Sequence, residues 1–440
     1  MVRALYTLLL WLLLPWVWVR LAWRARRQPE YLQHLGERFG FYVSPPLQGG
    51  GRGGVVNPTA SMPHPLPQYH PVIWLHAVSV GETRATVNLI ARLRAAYPDH
   101  QILLTHTTPT GRAASEQLYG DGVWRVYLPY DYPFAVQRFM RHFKPCLGIL
   151  METEIWFNLI HAAQCESVPL LLLNARLSEK SAKGYARIAP LTRCALQQLA
   201  AIAAQTADDA ARLSLLGARQ VSVMGNLKFD IIPPQPMLEL GASLRQQFGA
   251  TRKIFLAAST REGEEALLLD AFKAQGGMTG ALLVIVPRHP QRFDEVAEML
   301  VKQHLCYQRR SENREVSSEI SVVLGDSMGE MFAYYAACDL AYIGGSLLPF
   351  GGQNLIEACA VGTPVLVGEH TYNFADATQL AVKAGAAVRV SDAKALLQTA
   401  QKLLNDAPSL AAMREQSLRF VAAHRGATDK AMAVIRCYQG

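Results

Sequence analysis

Short apolar runs alternate with amphipathic stretches along most of this 440-residue chain. Val72 to Ala77 reads as a strand and is followed by a helical pattern from Thr83 to Ala96. Ile102 to Thr107, Leu147 to Met151, Leu170 to Leu173 and Ile202 to Ala204 are further strand candidates, each leading into an amphipathic stretch. The Pro-rich run Ile232-Pro-Pro-Gln-Pro236 interrupts the order. It restarts with Ile254 to Ala257, Leu282 to Val286, Val322 to Leu324, Leu340 to Ile343 and Val365 to Val367. Nearly continuous apolar strands separated by helices predict parallel sheets covered on both faces. The pattern therefore predicts an α/β fold of two Rossmann-like βα domains facing a cleft, with ligands outside the carboxyl ends of the strands.

Two segments fall outside the alternation. From Ala4 to Val19 every residue is apolar except Thr7, and with Leu21 to Trp23 the stretch reaches the ~20 residues of a spanning helix if Arg20 snorkels. Arg24, Arg26 and Arg27 follow, and such a positive flank stays on the cytoplasmic side. A signal peptide would carry its main charge before the apolar region and end in small residues. Residues 1–27 are thus expected to be an uncleaved anchor, spanning or lying in the interface, with a buried helix of a soluble core as the alternative. Pro45 to Pro71 is rich in Pro and Gly and predicts a mobile loop. Its Gly49-x-Gly51-x-x-Gly54 has the letters of a dinucleotide fingerprint but neither the strand nor the helix that must flank one. The expected organisation is an anchor over 1–27, an N-terminal domain over 28–231, a linker over 232–248 and a C-terminal domain over 249–440.

Composition narrows the classes. A chain that is 50% hydrophobic and 18% charged can offset its ordering entropy by burial, which excludes disorder for most of it. One candidate span argues against a polytopic membrane protein. The net charge is +8, but Arg3, Arg20, Arg24, Arg26 and Arg27 all precede the first acidic residue, Glu30. With no basic stripe elsewhere, nucleic acid is not an expected partner. The seven cysteines are odd in number and have no Cys-x-x-Cys spacing, so they read as reduced, packed thiols.

Candidate chemistry clusters after predicted strands. In Trp74-Leu-His-Ala-Val-Ser-Val-Gly-Glu82-Thr83, Glu82 stands at a strand end where a carboxylate can act as general base, or equally as a helix-start acid favoured by the dipole. Ala77-x-Ser79-x-Gly81 also resembles a nucleophile elbow, which keeps a serine hydrolase using Ser79 as an alternative of another class. Met151-Glu152-Thr153-Glu154 follows a strand with two carboxylates, and Gly225-Asn-Leu-Lys228-Phe-Asp230 precedes the linker with a cation suited to a phosphate or carboxylate. In the second half, Val286-Pro287-Arg288-His289 closes a strand. Gly325 to Glu330, Gly344 to Ser346 and Gly351 to Glu357 are Gly-rich turns whose backbone N–H groups could face an anion, which favours a nucleotide site. Neither Asp-x-Asp nor His-Glu-x-x-His occurs, so no metal is expected.

HAVSVGET, METEIW, NARLS, GNLKFD, PRHPQR, GDSMGE, GGSL and GGQNLIEA, in this order behind a basic anchor, resemble the 3-deoxy-D-manno-octulosonic acid (Kdo) transferases of lipopolysaccharide assembly. The likeness runs from Leu5 to about residue 420. It implies a GT-B glycosyltransferase that moves Kdo from CMP-Kdo to lipid IVA at the cytoplasmic face of the bacterial inner membrane. The expected reaction is inverting and uses neither metal nor cofactor. By the same resemblance Glu82 looks like the catalytic base, and Glu152 and Lys228 like transition-state stabilisers. Pro287, Arg288, Met328, Gly329, Glu330, Asn354, Leu355, Ile356 and Glu357 are similar to the family's CMP-contacting residues. A related GT-B enzyme using a UDP-sugar and a lipid-linked acceptor is the close alternative. Two departures stand out: the Pro/Gly stretch is longer than usual, and Gln353 and Leu355-Ile356 replace the His and Pro-Leu of GGHNPL.

Overall fold

Strands buried on both faces organise the protein, whose computed structural model describes residues 2–26, 28–42 and 70–439. In the first sheet β1 (Val72–His76), β2 (Gln101–His106), β3 (Trp124–Tyr127), β4 (Pro145–Met151), β5 (Leu170–Ala175), β6 (Ala201–Ala204) and β7 (Val221–Val223) lie in the order β3-β2-β1-β4-β5-β6-β7. The second contains β8 (Lys253–Thr260), β9 (Ala281–Pro287), β10 (Tyr307–Arg309), β11 (Val322–Leu324), β12 (Leu340–Ile343), β13 (Val365–Val367) and β14 (Ala387–Arg389), in the order β10-β11-β9-β8-β12-β13-β14. Every pairing is parallel. All strand candidates of the sequence recur within a residue or two at each end, with β8 extended to Thr260. The four further strands β3, β7, β10 and β14 are the sheet edges.

Alternation along β1 divides the first core. Val72 and Trp74 face a layer that includes Val136, Phe139, Leu159 and Leu196, while Ile73 and Leu75 face Leu89, Ile90 and Leu93. Gly148 of β4 is required by close approach: a Cβ there would stand 2.8 Å from the Trp74 ring. That indole is fully buried and donates Nε1–H to Thr105 Oγ1 at 2.8 Å. The helical stretch after β1 breaks at Thr86, giving helices Val80–Ala85 and Val87–Ala96.

The chain divides into two compact units, residues 1–230 with 426–440, and residues 231–425. Two expectations are corrected here. Residues 235–248 of the expected linker form the helix Gln235–Phe248, whose Gly241 lies against Ala333 and Ala336 of the second unit. Its prolines stand at the helix start, where a missing N–H breaks no intrahelical bond, so they initiate rather than interrupt. Residues 426–440, expected in the C-terminal domain, belong to the first unit. The Asp230 carboxylate accepts from the N–H groups of Gly426 (2.7 Å) and Thr428, and Ala427, Ala431, Met432 and Ile435 fill the face occupied by Ile73 and Leu75. The Pro/Gly stretch expected as a mobile loop, with its Gly49–Gly54 fingerprint, lies outside the described residues except for His70 and Pro71.

The N-terminal helix Val2–Ala25 packs on the first unit. Tyr6 donates its hydroxyl to Asp131 Oδ2 at 2.9 Å and sets its ring edge-on to Phe157. The buried Asp131 also accepts from the N–H groups of Asn158 (3.0 Å) and Leu159 (2.8 Å). These lie in the first turn of helix Phe157–Cys165, whose N–H groups have no intrahelical acceptor.

A second buried carboxylate braces the other unit. Glu264, 1% exposed, accepts from the N–H groups of Arg261 (2.9 Å), Gly345 (2.6 Å) and Leu347 (3.0 Å) and from the Tyr342 hydroxyl (2.7 Å). It ties the end of β8 to the loop after β12. Each buried donor left unpaired costs about 1–3 kcal/mol. Glu264→Ala should therefore lower the stability of the second unit by roughly 3 kcal/mol or more. Removing the exposed Glu262 carboxylate should change it by about 0.5 kcal/mol or less. Urea unfolding of both variants, with amide exchange at Gly345 and Leu347 as a local probe, checks the contrast.

Candidate active site

Where a parallel sheet reverses its direction of growth, the loops after two adjacent strands diverge and leave room for a ligand. In the first sheet this point lies between β1 and β4. The loops concerned carry Glu82 and Glu152-Thr153-Glu154.

After β1 the chain turns through Ala77 and Val78 into helix Val80–Ala85, capped by Ser79. Ser79 Oγ accepts the Glu82 N–H (3.4 Å) and donates to Glu82 Oε1 (2.9 Å), while the Val78 N–H donates to Oε2 (2.8 Å). Glu82 is thus a helix-start carboxylate and a strand-end carboxylate at once, and Ser79, weighed as a nucleophile, is its cap. These bonds favour the ionised form, as does His76 nearby. Burial, reinforced by the charge of Glu152, outweighs them and raises the Glu82 carboxyl to about 7.

Glu152 occupies the left-handed region, with φ of 59°, a conformation disfavoured for a residue carrying a Cβ. Its N–H is held by Leu173 O at 3.1 Å, and its Oε1 accepts from Lys228 Nζ at 3.3 Å. Lys228 arrives on the short turn Leu227–Asp230, fixed by a ring of amides from two of the sequence motifs. Asn174 Oδ1 accepts the Leu227 N–H (3.1 Å), Gln205 donates to Asn174 O (3.0 Å), and Asn226 donates to Gln205 (3.0 Å). Glu82, Glu152 and Lys228 are therefore brought to one place.

Sequence reasoning gave no separate role to Glu154 and His76. His76 is fully buried, and its Nδ1 lies 3.1 Å from Thr105 O and 2.9 Å from Thr105 Oγ1. With Nδ1 turned to Thr105, the ring directs Nε2 toward Glu154 Oε2, 3.8 Å away. Glu154 is steadied by Trp156, whose indole N–H donates to it at 2.5 Å. His106, on the neighbouring strand, bonds Ala77 O through Nδ1 (2.8 Å), and burial lowers its pKa to about 3, so that ring is neutral.

In the second unit the corresponding reversal lies between β8 and β12. Thr260 and Pro287 are register partners, and the Arg288 N–H bonds Thr260 O at 2.9 Å, so Arg261 and Arg288 leave adjacent strands side by side. A bulge at Ser259, with φ of 54°, re-aims the end of β8. Arg261, missed by sequence reasoning, lies over the Phe350 ring at 4.4 Å. Met328, Gly329 and Glu330 follow β11, and Glu330 accepts from Ser327 Oγ at 2.6 Å and pairs with Arg310 at 3.4 Å. Asn354 donates to Glu357 Oε1 (3.1 Å) and accepts the Ile356 N–H (3.1 Å). Leu355 and Ile356 are buried as whole residues and hold the turn in place beneath Asn354. One expectation changes: the loop Gly344–Ser346 does not hold all its amides out for an anion, because that of Gly344 is bound by Ala258 O (2.8 Å) and that of Gly345 by Glu264.

With this geometry in place, the comparisons with known proteins can be read. A family model described as 3-deoxy-D-manno-octulosonic-acid transferase (kdotransferase) matches residues 33–231, and one described as glycosyl transferases group 1 matches residues 296–420. The chain is 42% identical to the 3-deoxy-D-manno-octulosonic acid transferase of Bordetella pertussis, covering 100% of both chains. It is 35% identical to the transferase of that name from Haemophilus influenzae, covering 99% of this chain and 98% of that one. Among solved structures, the UDP-GlcNAc 2-epimerase of Neisseria meningitidis bound to UDP-GlcNAc aligns with a TM-score of 0.58 at 15% identity. It covers 83% of this chain and 99% of its own, a likeness of fold alone, here the GT-B type. Similarity to the Bordetella and Haemophilus transferases over essentially their whole length shows that the chain belongs to the 3-deoxy-D-manno-octulosonic acid transferase family, whose members are glycosyltransferases.

Proposed function

We propose that the enzyme transfers Kdo from CMP-Kdo to a hydroxyl of lipid IVA in an inverting, metal-independent displacement, with Glu82 as general base. The observation that carries the reading is the partly buried Glu82 carboxylate beside Glu152 at the reversal point of the first sheet. A base must be ionised to accept a proton, and it removes one best when its pKa lies near the working pH. Glu82 takes the proton of the acceptor hydroxyl, whose oxygen bonds to the anomeric carbon of Kdo while the bond from that carbon to the phosphate oxygen breaks and CMP departs with the electron pair. Glu152 and Lys228, already paired, steady the charge around the attacking hydroxyl. On the second unit Arg288, Met328 to Glu330 and Asn354 to Glu357 hold the nucleotide, and Arg261 adds a cation beside Arg288 suited to a donor that carries both a phosphate and a carboxylate.

A lipid acceptor accounts for the N-terminal helix. The helix is long and apolar enough to cross a membrane, with a mean hydropathy of 1.7 in its best window, and basic residues close it. We place the enzyme at the cytoplasmic face of the bacterial inner membrane, among its phospholipids.

Mass spectrometry of lipid IVA after incubation with the protein, CMP-Kdo and EDTA tests donor, acceptor and metal independence together. Mass gains of whole Kdo units are expected, whereas transfer only from a UDP-sugar, or only after a divalent metal is restored, would overturn the corresponding part. Glu82→Gln should reduce turnover by about 10²–10⁴-fold while leaving CMP binding within error, by calorimetry. Because the active form of Glu82 is the ionised one, kcat/KM should be low in acid, rise through about pH 7 and level off above it. Glu152→Gln removes a negative neighbour that holds the Glu82 pKa up, so in that variant the rise should move to lower pH.

A further inference from the structure

The N-terminal helix is fastened to the first unit along its whole length. Every third or fourth side chain, from Arg3 through Tyr6, Leu10, Leu14 and Val17 to Leu21, is sheltered. The remaining arc exposes large apolar groups, among them Leu5, Leu8, Leu12, Trp16 and Val19. Besides the Tyr6–Asp131 bond, Thr7 donates to Asn158 Oδ1 (3.2 Å) and the Tyr132 hydroxyl to Leu10 O (2.9 Å). Further along, Trp11 stacks on Phe134 and Trp18 on Phe39. Asp131 and Tyr132 follow β3, and Asn158 follows β4, so the helix lies along the carboxyl edge of the first sheet, the edge that bears Glu82 and Glu152.

A helix of 24 residues is about 36 Å long at 1.5 Å per residue, enough to cross the hydrocarbon. Were it to cross while packed this way, it would carry the unit it is fastened to, with exposed Gln137 and Arg138 beside Phe134, into a medium with no water to solvate them. With its axis in the membrane plane, only the Leu- and Trp-rich arc enters the acyl region. Arg20, stacked over Trp16 at 5.2 Å, and Arg24, over Tyr31 at 5.3 Å, then stand at the level of anionic headgroups.

We infer that the helix does not span the bilayer but lies in its surface, apolar arc inward, and presents the carboxyl edge of the first sheet to the headgroup layer. The occupant of the exposed arc is the acyl region of an anionic bilayer. The inference deepens the membrane reading above and depends on it only for the identity of the acceptor. Its consequence is that the headgroup of a lipid acceptor meets the carboxylate edge without leaving the membrane.

The test uses the full chain in phosphatidylethanolamine–phosphatidylglycerol vesicles doped with phosphatidylcholine brominated near the headgroup or near the chain end. The fluorescence that Trp11→Phe, Trp16→Phe and Trp23→Phe each remove reports the depth of that indole, and all three side chains are exposed enough to be replaced without opening a core. All three should be quenched alike and most by the shallow bromines. A spanning helix separates Trp11 from Trp23 by about 18 Å along the normal. Quenching maxima at clearly different depths would therefore overturn the inference. So would absence of quenching, with the arc covered instead by a second copy, seen as a dimer in sedimentation. No turnover enters the readout: shallow, uniform quenching without transfer would retract the proposed acceptor alone, and transfer by a spanning helix would retract this inference alone.

Discussion

When all strands of a sheet run the same way, the chain must return to the starting edge before laying down each new one. Every strand then delivers its following loop to a single edge, and the loops diverge only where the sheet stops growing on one side and starts on the other. Both units obey this constraint, with β1 and β8 laid down first and enclosed by later strands on each side. All the chemistry described above lies on those two edges, and three residues in unusual backbone conformations lie there too. Glu152, Asn174 and Ser259 are non-glycine residues with positive φ just beyond or at strand ends. Such conformations persist only where the surroundings over-determine them, and here a carbonyl, an amide ring and a strand bulge do so.

The same topology is filled in opposite ways. Between β1 and β4 the sheet presents carboxylates, which repel one another and are moderated by a lysine and a buried histidine. Beyond β8 the Glu264 carboxylate is turned inward and gathers the amides of its own loops, while Arg261 pairs with the exposed Glu262 at 2.9 Å and lies over the Phe350 ring. An internal acid that braces an external cation keeps the loop rigid without lending its charge to the ligand side.

The interior strands were legible because burial on both faces demands apolar residues at consecutive positions, as in Leu282 to Val286. The edge strands were not: β7 and β14 are partly exposed, short, and carry residues such as Ser222 and Arg389 that any loop could carry. Helix Gln235–Phe248 was hidden by its own prolines, which look like linker chemistry unless their place in the first turn is known. Glu82 and Glu152 could be found because each follows a clear apolar run, and Lys228 because it stands in a motif just before the Pro-rich run. The place of His76 rests on contacts with Thr105 on another strand and Glu154 in another loop, which no local pattern encodes. Glu264 reads as an ordinary acid near a helix start, and only the pairing of β8 with β12 brings Tyr342, Gly345 and Leu347 from a distant part of the chain onto it.

The return of residues 426–440 to the first unit also sets an order of events during synthesis. The face of the first sheet lined by Ile73 and Leu75 is covered only in part, by Leu89, Ile90 and Leu93, until Ala431, Met432 and Ile435 arrive, and these follow the whole of the second unit in the chain. The second unit is contiguous and can close as soon as it emerges from the ribosome. The first, although translated earlier, keeps a stripe of bare core open throughout that interval. Newly made protein that stalls between the two stages thus has a sticky surface that the finished enzyme lacks, and chaperone capture or aggregation of the nascent chain falls in that window.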